Sequence, residues 1–138
     1  MSNEVRKMIN KVRDFKSILN EDKSGYLKLQ RAQPGEVNDK WDFNIVNGQH
    51  GEGIYAFLYG DIPMNNYYTK NKENIHTFQI PIKYIADLSN KKWDFWDARA
   101  FIYNNPQYKA FIFKHVGPGI PSSKEVLITD PSIIQLLK

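Results

Sequence analysis

At 138 residues, with 41% apolar and 14% aromatic content, the chain has the length of one domain. Such a domain can bury about two thirds of the surface its unfolded form exposes, which excludes global disorder. The absence of cysteine excludes disulfides and thiolate metal sites, and a net charge of +4 spread along the chain reads as a solubilising surface rather than a clustered nucleic-acid footprint.

Residues 1–20 contain no continuous apolar stretch of the kind a signal peptide or membrane span needs, so a cytoplasm, of the producing or of a target cell, is the expected location. Val5, Met8, Ile9, Val12, Phe15 and Leu19 recur at helical spacing among lysines and arginines, which predicts an amphipathic helix ending near Asn20. In the next segment Leu27, Leu29 and Arg31 share one face of a predicted strand, Tyr26, Lys28 and Gln30 share the other, and Pro34-Gly35 ends it. Residues 36–52 form a long polar loop with one aromatic anchor pair, Trp41 and Phe43.

Three glycines, Gly48, Gly51 and Gly53, then lead into a predicted strand over 53–58, a spacing that suggests close approach of the backbone to another group. Loop with a short helical turn follows to residue 74, then strand over 75–89. Residues 91–105 read as a helix with Trp93, Trp96, Ala100 and Tyr103 along its packed side. Strands at 107–116 and 125–129 flank the loop Gly117-Pro118-Gly119-Ile120-Pro121-Ser122-Ser123-Lys124, and Asp130-Pro131 opens a last short turn. One helix, mostly antiparallel strands and one inserted helix make a single α+β domain over 1–138.

Three residues are unusual for a pure core. Arg31 follows two leucines on an inward face, where a guanidinium needs a partner: a structural carboxylate, or a phosphate or ribose oxygen in a cleft. Tyr55 closes the glycine run, as a core aromatic or a cleft residue, and Glu125 opens a strand directly after a Gly/Pro/Ser loop, as a solvated edge residue or a catalytic carboxylate. The histidines at 50, 76 and 115 are too scattered for a metal site, and His50 is either a loop residue without a role or part of a cleft.

Taken together, these motifs resemble the ADP-ribosyltransferase superfamily, in its His-Tyr-Glu branch of poly- and mono-ADP-ribosyl polymerases and diphtheria-type toxins. The middle motif stands as Gly51-Glu52-Gly53-Ile54-Tyr55-Ala56-Phe57, and the last as Glu125-Val126-Leu127-Ile128-Thr129-Asp130 followed by an apolar C-terminal run. The first motif departs from the branch: Leu29-Gln30-Arg31-Ala32 carries arginine where the histidine belongs. Arginine is what the Arg-Ser-Glu toxins place there, but the chain lacks their Ser-Thr-Ser strand and has Ser123 where they have Gln or Glu. It therefore reads as a mixed Arg-Tyr-Glu form.

The resemblance implies a split antiparallel β-sandwich with an N-terminal and an inserted helix. It also implies NAD as co-substrate and a mono-ADP-ribosyltransferase of the toxin or phage-modifier kind. Glu125, Tyr55 and Arg31 become the catalytic set. Arg31 would hold a phosphate or ribose oxygen, the Ala32 backbone would meet the nicotinamide amide, and Gly53 would let the main chain approach the dinucleotide. Tyr55 would stack on the ring with Tyr67 or Tyr68 on its second face, and His50 would line the cleft. Expected partners are NAD, a protein or nucleic-acid acceptor and a neutralising protein, with no membrane. An NAD glycohydrolase and a non-catalytic NAD- or ADP-ribose-binding module are the alternatives.

Overall fold

The computed structural model describes residues 25–62, 75–114 and 124–137. The expected N-terminal helix, Tyr67, Tyr68, His115 and most of the loop before Glu125 lie outside them. The described chain is a mixed α+β domain, mostly β-sheet with one α-helix. Its strands are β1 (Tyr26–Ala32), β2 (Val46–Gly48), β3 (Gly51–Leu58), β4 (Ile75–Pro81), β5 (Ile85–Asp87), β6 (Ala110–Lys114), β7 (Lys124–Ile128) and β8 (Gln135–Leu136). The helix, α1, spans Phe95–Asn104.

The strands run in the order β5-β6-β7-β3-β1-β4-β8, with β2 paired to β3 as a hairpin. All pairings are antiparallel except β5 with β6, which α1 joins as a crossover. Alternation along the strands sorts the side chains onto two faces. One face gathers Leu27, Leu29, Ile54, Ala56, Phe78, Ile80, Ile112, Val126 and Ile128 into the main core. On the other, Phe111, Phe113 and Leu127 pack with Ala98, Phe101 and Ile102 of α1.

The predicted strand over 75–89 is two strands. β4 ends at Pro81, and a 3-10 turn over Ile82–Tyr84 redirects the chain into β5. The long loop 36–52 holds a 3-10 turn, Lys40–Asp42, capped by Asp39, and the short strand β2. Of its aromatic pair only Phe43 anchors it: Phe43 is buried against Phe78, whereas Trp41 is exposed.

The packed side of α1 also differs from expectation. Ala98 is buried and Phe101 and Ile102 face the sheet, while Trp96 and Tyr103 are 77% and 85% exposed. Two stripes at helical spacing compete in this segment. The one containing Ala98 wins because a small residue lets the helix approach the sheet, which a stripe of tryptophan and tyrosine would hold away. The capping box of Asp94 and Asp97 fixes where the helix starts.

Candidate functional site

The site lies where β1 and β3 part. Their register runs Leu29 with Leu58 and Gln30 with Phe57, and the Tyr59 N–H donates to the Lys28 carbonyl at 3.0 Å. In this register the next hydrogen-bonded rung would join Ala32 to Tyr55. The β1–β3 ladder stops short of it, although β1 continues alongside β4 as far as Ala32 opposite Ile75. Backbone groups alternate sides along a strand, so the N–H and C=O of Ala32 point from β1 across this gap.

Arg31 fills part of the missing rung. Its Nη1 donates to the Tyr55 carbonyl at 2.6 Å, its Nη2 to the Asn44 carbonyl at 3.3 Å and its Nε to Oε1 of Gln33 at 3.1 Å. Among the described residues its hydrogen-bond partners are these neutral oxygens and not the expected carboxylate. Burial lowers the pKa of the guanidinium from its ordinary value, yet an arginine so placed stays charged. Gln33 is itself buried and bonded at both ends of its amide: its Oε1 also accepts from Asn44 N–H at 2.8 Å, and its Nε2 donates to the Asp42 carbonyl at 2.8 Å. This amide ties the loop to the end of β1.

Beside the gap opens a small cleft of about 60 Å³ lined by Arg31, Ala32, Tyr55, Ala56, Phe57 and Glu125. The structure therefore brings Arg31, Ala32, Tyr55 and Glu125 together. Glu125 stands opposite Phe57 across the β3–β7 ladder, diagonal to Tyr55 on the same face, and its side chain is 18% exposed.

Tyr55 is anchored by its hydroxyl, which donates to the Gly51 carbonyl at 2.5 Å and accepts from His50 N–H at 3.2 Å. Burial pushes this hydroxyl above its ordinary pKa. The hydrogen bond from His50 works against the rise, the Glu125 carboxylate adds to it, and Arg99 and the Gly51 backbone oppose it. The net result is a neutral phenol pinning the β2–β3 turn.

That turn explains two of the glycines. A Cβ on Gly48 would lie 2.5 Å from Cζ of Tyr55, so the ring occupies the space a side chain would need. A Cβ on Gly53 would lie 2.5 Å from the Ile128 carbonyl and 2.6 Å from Cδ1 of Leu127. Gly53 thus serves the approach of β3 to β7 rather than of the chain to a ligand. Gly51, at φ +127°, adopts a conformation other residues rarely take.

His50 is buried, with its ring stacked parallel on Phe113 at 3.9 Å between centroids and edge-on to Phe95 at 5.8 Å. Its Nδ1 lies 3.9 Å from Oε1 of Glu125. The sequence pointed to His50 only as a neighbour of the glycine run, and nothing in it placed this ring beside Glu125. A second hollow, of about 170 Å³, lies between α1 and the sheet beside His50 and is lined by Arg99 and Tyr103 among others. Arg99 donates from Nη2 to the Gly48 carbonyl at 3.3 Å, tying α1 to the same turn. Gln33, Asn44 and Arg99 are supporting residues that sequence reasoning missed, because most of their bonds use backbone groups, which carry no sequence signal.

No family model, curated protein or solved structure matches this chain.

Proposed function

We propose that the chain is a mono-ADP-ribosyltransferase, which cleaves NAD at the nicotinamide–ribose bond and transfers ADP-ribose to a macromolecular acceptor on an ADP-ribosyltransferase-like split β-sandwich. The observation that carries the reading is the absent Ala32–Tyr55 rung, beside which Arg31, Tyr55 and Glu125 line one cleft. The motif resemblance supports it independently, since those three residues are the ones the motifs single out.

The cleft is small, about 60 Å³, so in this reading it receives only the nicotinamide–ribose end of the dinucleotide and the rest lies outside it. A carboxamide offers one donor group and one acceptor, which the C=O and N–H of Ala32 complement across the gap. Tyr55, its hydroxyl committed to the turn, contributes its ring as a stacking surface rather than an acid. Each Nη of Arg31 carries a second N–H beyond its bond to a carbonyl, which is the group to meet a phosphate or ribose oxygen.

When the C1′–N bond breaks, its electron pair leaves with the nicotinamide nitrogen and positive charge builds on the ribose. The carboxylate of Glu125 offsets that charge and orients a ribose hydroxyl. The acceptor atom then forms its bond to C1′ and loses its proton to Glu125 or solvent.

The test is incubation of the pure protein with labelled NAD and cell lysate, followed by nuclease or protease treatment. Label on a macromolecule supports transfer, and the treatment that releases it identifies the acceptor class. Nicotinamide release without labelling would make the chain an NAD glycohydrolase. Calorimetric NAD binding without release would make it a non-catalytic binding module.

A further inference from the structure

Among the described residues, Nδ1 of His50 is a buried side-chain nitrogen without a hydrogen-bond partner. Buried polar atoms are nearly always satisfied, so an exception calls for a physical reason. The surroundings supply one. Phe113 and Phe95 hold the imidazole plane, and the His50 N–H is tied to the Tyr55 hydroxyl, so the ring has little freedom to turn elsewhere. Oε1 of Glu125 lies 3.9 Å from the orphaned nitrogen, about 1 Å beyond a hydrogen bond. Of the two side chains the carboxylate is the longer and, at 18% against 10%, the more exposed, so it is the one placed to close that distance.

We propose that His50 is a positioning residue for Glu125: its Nδ1–H donates to one carboxylate oxygen and so sets how the carboxylate faces the cleft. The Tyr55 hydroxyl, His50 and Glu125 then form one connected chain from the stacking ring to the carboxylate. In this arrangement the β2–β3 turn sets the geometry of the cleft through a single histidine. The catalytic half of the inference rests on the transferase reading, whereas the pairing itself does not.

The pairing is tested without NAD, by the nitrogen chemical shifts of histidine-labelled protein. Neutral His50 is expected to carry its proton on Nδ1, and to lose that preference in Glu125→Ala. An Nε2–H tautomer in the wild type, or an unchanged ring in Glu125→Ala, would overturn the pairing.

The catalytic role is tested by nicotinamide release in His50→Phe, which keeps the stack on Phe113 and removes both nitrogens, and in His50→Asn, whose amide nitrogen falls near the position of Nδ1. His50→Phe is expected to lower kcat about 100-fold, the scale on which small misplacements of a reacting group act, with KM for NAD nearly unchanged. His50→Asn is expected to recover part of the loss. Undiminished kcat in a folded His50→Phe would refute the positioning role. A wild type that releases no nicotinamide would refute the transferase reading, and the tautomer measurement would still decide the pairing.

Discussion

The guanidinium of Arg31 donates to the backbone carbonyl of Tyr55 at 2.6 Å, where the antiparallel ladder between their strands would have placed an amide of Ala32. A side chain has taken over one bond of a sheet, and the backbone group it displaced faces a cleft. Arg31 therefore has a structural role beside the proposed one in binding NAD: its fork satisfies the Tyr55, Asn44 and Gln33 oxygens where the two strands part.

Replacing that fork separates the two roles. Arg31→Lys keeps the charge but cannot reach three acceptors in a plane, and Arg31→Met leaves partly buried oxygens without donors. Urea unfolding is expected to show a loss of about 1–3 kcal/mol for Arg31→Met and a smaller one for Arg31→Lys. NAD affinity should fall in both. Equal stability of wild type and Arg31→Met would show that water replaces the guanidinium without cost.

The glycines around the turn make a second, more local prediction. Gly53→Ala presses a methyl against the Ile128 backbone, which cannot withdraw without breaking the β3–β7 ladder, so a loss of about 2–3 kcal/mol is expected. Gly48→Ala presses instead on the Tyr55 ring, a side chain that can be shortened. Tyr55→Leu should therefore rescue Gly48→Ala and leave Gly53→Ala unrescued. Denaturation of the three single and two double variants gives the coupling energies directly.

The strand pattern was open to reading because alternation is local: Leu27 and Leu29, or Val126 and Ile128, declare a core face within a few residues. Arg31, Tyr55 and Glu125 stood out for a similar reason, each sitting beside its own motif. Long-range facts were not accessible. Nothing near Arg31 announces that its partners are carbonyls of Tyr55 and Asn44, since carbonyls have no sequence. Gly53 read as room for a ligand because the strand that fills that room, β7, comes much later in the chain. The face of α1 was ambiguous in principle, as aromatic residues at 96 and 103 and small or apolar ones at 98, 101 and 102 both keep helical spacing. Only the curvature and closeness of the sheet choose between them.

Trp96 and Tyr103 test that choice. Exposed as they are, Trp96→Ala and Tyr103→Ala are expected to change stability by less than about 0.5 kcal/mol, whereas Ala98→Leu should cost about 1–3 kcal/mol by overpacking against the sheet. A thermal shift larger in the aromatic variants than in Ala98→Leu would mean that the helix presents its other side to the core.

Glu125→Gln is the sharpest test of the proposed chemistry. The amide keeps the shape of the carboxylate and removes its charge, so the fold and much of the NAD binding should persist while nicotinamide release drops by about 100-fold or more. Release measured by chromatography, with binding followed by calorimetry on the same sample, separates the two effects. Unchanged release by the folded variant would remove Glu125 from the mechanism.

Acid should act first on the C-terminal turn. Asp130 caps the 3-10 turn Pro131–Ile133, and hydrogen bonds from Ser132 hold its carboxyl below the ordinary value, with Lys109 at 4.0 Å adding a little. A carboxylate whose folded pKa is depressed stabilises fully above its unfolded value, about 3.9, and loses that contribution as pH falls through the folded one. Wild type should therefore lose stability more steeply than Asp130→Ala below about pH 4, and the two curves should converge in acid. The cap is well exposed and screened, so the gap at neutral pH should be about 0.5–1 kcal/mol. Parallel unfolding curves across the acid range would assign the stabilisation to the backbone of the turn and to Pro131 instead of the carboxylate.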